Sequence, residues 1–159
     1  MSPKSLLRHP SVRSNFDEMG PNTTFKELIP DTVKNLKEVK KIILCSGKVF
    51  YELLTLREEK KLTEQIAILR LEQICPFPYS LVAQEIAKYP KSKITWMQEE
   101  HKNQGAFYYV RERIANALGI KIEEVKYAGR QCSASPATGS KVIYQNEHKT
   151  MMEDAMKLS

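Results

Sequence analysis

The chain has 159 residues, enough for one domain of ordinary size that buries most of what its unfolded form would expose, with no room for a second full domain. Its composition is that of a globular protein, 42% hydrophobic and 28% charged, and no window approaches the ~18 to 20 consecutive apolar residues of a membrane helix, so membrane insertion is not expected. The net charge of +6 comes from 25 basic residues interspersed with 19 acidic ones and forms no arginine- or lysine-rich block, which reads as a solvated mixed-charge surface and not as a nucleic-acid face.

Residues 1–39 carry Pro3, Pro10, Pro21 and Pro30 with Gly20, Asn22 and Asp31, all of which favour turns. They read as an irregular lead-in segment packing on a domain over 40–159. Its apolar groups Leu6, Leu7, Phe16, Phe25, Leu28 and Ile29 have two destinations open to them, the body of the domain or a neighbour. The N-terminus has neither the apolar core of a secretory signal nor a long amphipathic transit segment, so targeting information is expected to lie outside the chain.

From Lys41 strand-like and helical patterns alternate. Ile42-Ile43-Leu44-Cys45 is followed by a helix over about 48–60, with Phe50, Leu53 and Leu54 at helical spacing, and then by Ile66 to Leu71. After Cys75-Pro76-Phe77-Pro78, Ser80 is the expected N-cap of a helix that Pro90 stops. A third strand is expected at about 93–98. Phe107, Val110, Ile114 and Leu118 then form a helical stripe closed by Gly119. A short strand near 124–127, a small-residue loop over 129–139 and a final helix over about 145–157 complete the pattern, with His148, Met151, Met152 and Ala155 on one side of that helix. Apolar strands separated by amphipathic helices predict a three-layer α/β/α sandwich with a mainly parallel sheet.

Cys45, Cys75 and Cys132 are widely spaced and odd in number, which indicates neither a zinc site nor a disulfide framework; a reducing compartment is the easier fit. The polar run Gln98 to Gly105 reads as a loop at the carboxyl end of a buried strand, where open α/β sheets keep ligand and interface chemistry. Within it Glu99 and Glu100 point to opposite sides of extended backbone and do not form an acid/base pair on one atom. Glu99, Glu100, His101, Asn103 and Gln104 are the candidate interface residues, with a purely structural loop equally compatible. His101 has no second ligand at metal spacing, and no metal ligand set is expected.

Ser46-Gly47-Lys48 stands between the first strand and its helix, where backbone N–H groups and an ammonium can hold a phosphate or carboxylate; a serine N-cap beside a solvated lysine is the preferred alternative. Arg130, at the end of the fourth strand, completes a possible anion rim with Ser46 and Lys48, and an ion pair of Arg130 with Glu99 or Glu100 is its structural alternative. No catalytic residue is nominated: His9, His101 and His148 lie in unrelated contexts, and no nucleophile–histidine–acid set is present.

Ordered motifs along nearly the whole chain carry a resemblance: Met1 to Pro10, Cys45-Ser-Gly-Lys48, Arg70-Leu-Glu-Gln73, Pro76-Phe-Pro78, Gln98 to Gly105, Tyr127-Ala-Gly-Arg130 and Ser135-Pro-Ala-Thr-Gly139. Together they are similar to the C-terminal domain of 2-oxoglutarate dehydrogenases, which is transketolase C-terminal-domain-like; the related 2-oxoadipate enzymes share several of them. The resemblance implies a scaffold, dimer-interface and possible regulatory domain of a parent that decarboxylates 2-oxoglutarate with thiamine diphosphate and Mg and passes the succinyl group to a lipoyl acyltransferase partner, in the mitochondrial matrix. It also implies a fragment that binds no cofactor and is inactive alone. The alternatives are a stand-alone acyl-coenzyme A or nucleotide-binding regulatory module, motivated by Lys48, Arg130 and the convergent strand ends, or a domain of a 2-oxoadipate dehydrogenase; resemblance to the acetyl-coenzyme A site of actinobacterial relatives implies Ser46 and Arg130 near a nucleotide end.

Overall fold

The computed structural model describes residues 3–158. Five strands, β1 (Leu28–Ile29), β2 (Lys41–Cys45), β3 (Ile66–Leu71), β4 (Lys93–His101) and β5 (Val125–Arg130), form one sheet in the order β1-β3-β2-β4-β5. All pairings are parallel except β1 with β3. Four helices connect or follow the parallel strands: α1 (Val49–Glu59), α2 (Tyr79–Ile86), α3 (Phe107–Leu118) and α4 (Lys141–Met156).

Side chains alternate along each strand, and this alternation makes two cores. Ile42, Leu44, Ala67, Leu69, Ile94, Trp96 and Val125 face α2 and α3. Ile43, Cys45, Ile66, Ile68, Met97 and Ala128 face α1 and α4, whose Leu53, Met151, Met152 and Ala155 close that side. The result is a three-layer α/β/α sandwich. Right-handed crossovers require it: the step from β2 outward to β3 puts α1 on one face, and the steps back through β4 to β5 put α2 and α3 on the other. Neighbouring β2 and β4 therefore send their carboxyl-end connections to opposite faces, and a crevice opens between them.

Gly119 ends α3 in the left-handed region at φ 65°, as its position after the stripe predicts. Several boundaries differ from the sequence reading. β4 runs to His101, so Gln98 to His101 are strand and not loop, because the Gln98 amide and the pairing of His101 with Arg130 keep the backbone in the sheet. β5 continues to Arg130, and α4 begins at Lys141, a turn earlier than expected. Pro78, not Ser80, occupies the N-cap of α2; Ser80 lies inside its first turn. Ser46 is likewise no N-cap: Lys48 holds that position for α1, after a turn through Gly47 at φ 77°.

In residues 1–39 the described part forms short 3-10 turns and β1. Its second half joins the body of the domain. Leu28 and Leu36 pack on the core, Val33 and Val39 are buried, and Asp31 forms an ion pair with Arg57 of α1 in which both side chains are about 5% exposed or less. No helix among the described residues is long and apolar enough to cross a membrane.

Candidate functional site: the carboxyl edge of the sheet

β4 departs from regular pairing at its end. Met97 is opposite Ala128 and His101 is opposite Arg130, so three residues of β4, Gln98 to Glu100, stand against the single Gly129 of β5. Such a bulge re-aims side chains at a sheet rim. Gln98 supports it from inside. Its carbonyl oxygen accepts from the Trp96 indole and from the Phe107 backbone N–H, both at 2.9 Å, and its amide nitrogen donates to the carbonyls of Glu100 (3.3 Å) and His101 (3.1 Å). A buried amide with every donor used and its oxygen doubly engaged holds one conformation. Gly105 is pressed against that amide so closely that a Cβ there would overlap it.

The bulge aims Glu99 inward and Glu100 outward. Lys48, at the start of α1, lies 3.4 Å from the Glu99 carboxylate and pairs also with Glu52 one turn along its own helix. Glu52 accepts from His148 of α4: Nε2 carries the proton and donates at 2.7 Å, since the carboxylate has none to give. Arg130, only 7% exposed, donates from Nε to the Glu99 carbonyl at 3.0 Å, pairs with Glu147, and lies with its guanidinium carbon 4.5 Å from the centroid of the Tyr144 ring. Glu147 takes a further bond from the Thr138 hydroxyl at 2.7 Å.

The loops after β2, β4 and β5 thus meet at one edge, clamped from above by α4. The partner of Arg130 is not the carboxylate of Glu99 or Glu100; it is the Glu99 backbone carbonyl together with Glu147. Lys48 is no solvated lysine either, because two carboxylates converge on it. His101 is buried, with Nδ1 3.0 Å from the Gln131 carbonyl, and so faces its own chain. Asn103 and Gln104 are exposed and tie down the loop after β5. Asn103 exchanges two bonds with the Ser133 backbone (2.9 and 3.0 Å), and Gln104 donates to the carbonyls of Ser133 (3.0 Å) and Ser135 (2.9 Å). Ser46 sits in the turn at the end of β2 beside this cluster in sequence.

Glu52, Tyr144, Glu147 and His148 were not among the nominated residues. Glu52 has a signal in the Lys48/Glu52 spacing of four; Tyr144 was hidden because the first turn of α4 reads as loop, and Glu147 and His148, which stand in the expected helix, because their partners Arg130 and Glu52 lie far away in sequence. Two groups of this cluster are shifted by their surroundings. The Thr138 hydroxyl first, then Arg130, hold the Glu147 carboxyl below its ordinary value. Burial, reinforced by Lys48 and Arg130, depresses His148 and outweighs the opposing pull of Glu99, so the imidazole is neutral near pH 7. Among the described residues no three His, Cys, Asp or Glu side chains gather as a metal site.

Beside this edge, between α1, α4 and the first 3-10 turn (Lys4–Leu6), lies a cleft of about 800 Å³ with Leu6, Tyr51, Leu56, Met152, Lys48 and His148 in its walls. It takes in Lys48 but neither Ser46 nor Arg130.

Helices on both faces of a mostly parallel sheet, with a switch-point crevice closed by the chain's own ion pairs, define a doubly wound α/β domain. Comparison with known proteins narrows this. The family described as 2-oxoglutarate dehydrogenase C-terminal matches residues 13–156. The chain is 45% identical over 154 residues to the mitochondrial 2-oxoglutarate dehydrogenase of Caenorhabditis elegans, covering 95% of this chain and 15% of that protein. It is 46% identical over 160 residues to the 2-oxoglutarate dehydrogenase-like mitochondrial protein of Xenopus laevis, at 99% and 16% coverage. The figures for the 2-oxoglutarate dehydrogenase E1 component of Rickettsia prowazekii are 43% over 160 residues, 98% and 17%. The chain belongs to the 2-oxoglutarate dehydrogenase C-terminal family and spans 15 to 17% of the length of these relatives.

Proposed function

We propose that this chain is the scaffold and dimer-interface domain of a 2-oxoglutarate dehydrogenase, and that it contributes assembly and not chemistry. The observation that carries the reading is the state of the carboxyl edge. In many doubly wound domains a ligand enters there, whereas here Lys48 and Arg130 are each neutralised by carboxylates of the same chain. An edge spent on internal pairing is a rigid support. Glu100, exposed on the bulge, together with Asn103 and Gln104, offers the outward face to a homodimer mate or to the rest of the parent polypeptide. Residues 1–39 act as a lead-in segment to the 40–159 domain, anchored on it through Leu28, Asp31, Val33 and Val39.

On this reading the parent decarboxylates 2-oxoglutarate and transfers the succinyl group to a lipoyl acyltransferase partner in the mitochondrial matrix. Thiamine diphosphate and Mg are held by other parts of it, since this chain spans only 15 to 17% of the length of its relatives. The purified chain, given thiamine diphosphate, magnesium, 2-oxoglutarate and an electron acceptor, should show no turnover. Sustained turnover would overturn the reading.

A second reading is favoured by the cleft between α1 and α4. Its size and partly apolar walls, with the ammonium groups of Lys60 and Lys149 among carboxylates on its lining, suit an acyl-coenzyme A or nucleotide acting as a regulator. Calorimetric titration with acetyl-coenzyme A tests it, and absence of heat up to millimolar ligand would remove it.

A further inference from the structure

The first half of the lead-in segment is folded and yet turns its largest apolar side chains to solvent. Asn15 and Glu18 close the turn Phe16–Met19: the Asn15 backbone N–H donates to the Glu18 carboxylate at 3.1 Å, the Glu18 N–H donates to the Asn15 carbonyl at 3.1 Å, and Lys26 pairs with the same carboxylate. Thr23 closes the next turn by donating its hydroxyl to the Gly20 carbonyl at 2.8 Å. These bonds give the segment a defined shape, and that shape leaves Phe16 90%, Leu7 73%, Phe25 67% and Met19 66% exposed. Two phenylalanines, a leucine and a methionine, each at least 66% exposed within nineteen consecutive residues, concentrate apolar surface in one segment, as interaction surfaces do. The sequence left Leu7, Phe16 and Phe25 a choice between the body of the domain and a neighbour; the fold leaves them, and Met19 with them, exposed.

The segment also carries a charge signature. Lys4, Arg8 and Arg13 lie in residues 3–16, which contain no carboxylate; Asp17 and Glu18 follow, and Glu18 is already paired with Lys26, so the basic character belongs to the Leu7 end. The surface that complements it is apolar with an acidic border. A source for that surface is at hand: the relatives contain several times more chain than is matched here, and the matched family is the C-terminal part of its parent. Covalent continuity makes docking onto that preceding chain intramolecular, with a high effective concentration.

We infer that Leu7, Phe16, Met19 and Phe25 form a docking strip seated on an apolar, carboxylate-bordered face of the parent polypeptide ahead of this domain, so that the lead-in segment is the seam between the two. This rests on the scaffold reading above and names the surface that reading requires.

The test places Phe16→Cys, Met19→Cys and Phe25→Cys singly in a Cys75→Ser, Cys132→Ser background, since those two native thiols are exposed and Cys45 is buried. Labelling by N-ethylmaleimide is timed in the 159-residue chain and in the full-length parent. All three sites should react on the order of tenfold more slowly in the parent. Equal rates in a parent that turns over 2-oxoglutarate overturn the inference and leave the scaffold reading intact. A parent without that turnover removes the reading itself. Protection that grows with concentration in the free chain, alongside dimer formation in sedimentation, assigns the strip to a second copy and overturns the choice of occupant.

Discussion

Replacing Arg130 by alanine tests the edge most locally. The guanidinium does three things: its Nε bonds the Glu99 carbonyl at 3.0 Å and so fixes the bulge, it pairs with Glu147, and it stacks on Tyr144 of α4. A hydrogen bond from a charged group contributes about 1.5–3 kcal/mol, and its loss leaves the Glu99 carbonyl without that partner. The cation–π contact adds roughly 0.5–1 kcal/mol. Glu147 is a third exposed and can resolvate, so its pair adds little. The sum is about 2–4 kcal/mol, which for a chain of this length lowers Tm by on the order of 10 °C. Chemical denaturation of Arg130→Ala and Arg130→Lys measures it. Lysine keeps the charge but loses the planar fork, so it should recover part of the loss and not all of it. If Arg130→Ala costs less than about 1 kcal/mol, the guanidinium is not the clamp between β4, β5 and α4 that the geometry describes.

Three further outcomes follow from named contacts. Asp31→Ala leaves the Arg57 guanidinium buried without its counter-ion and frees the Ile68 N–H that Asp31 accepts at 2.6 Å; a loss of about 3–5 kcal/mol in urea unfolding is expected, and much less if Asp31 is dispensable. Gly105→Ala drives a methyl group into the fully bonded Gln98 amide and should cost about 1–3 kcal/mol, with weakened amide protection in hydrogen exchange at Glu100 and His101; an unchanged stability would show that Gln98 yields freely. His148 has a depressed pKa in the fold, so the unfolded chain binds the extra proton first: its contribution is present above the unfolded value near 6.5 and is lost as pH falls through the folded one. Stability measured from pH 7.5 down to 5 should therefore fall less steeply in His148→Gln than in the parent sequence, and identical slopes would exclude His148 as a source.

The layers of this domain were legible because their signals are local. Continuous apolar runs at 42–45 and 66–71, each followed by a 3.6-residue pattern or a proline turn, fix strands and helices without reference to anything distant. The parallel order followed from the alternation. The edge was legible only in part. Lys48, Glu99 and Arg130 end parallel strands, so their convergence is a matter of topology, and it was expected. What each one holds was not: Tyr144 lies in the exposed first turn of α4, which reads as loop, and Glu147 and His148, though in the expected helix, meet partners that no local spacing reveals. The extension of β4 through Gln98, Glu99, Glu100 and His101 was missed for a similar reason: a polar sequence reads as loop, and only the buried Gln98 amide makes it a strand. β1 is too short to show any period.

The central claim is that the carboxyl edge supports assembly and performs no chemistry. Its most direct test is Glu100→Arg in the full-length parent dehydrogenase, read by sedimentation for the dimer and by kcat per assembled dimer. The claim predicts a weakened dimer whose remaining assembled fraction keeps its kcat. A dimer of undiminished strength with a collapsed kcat would contradict it.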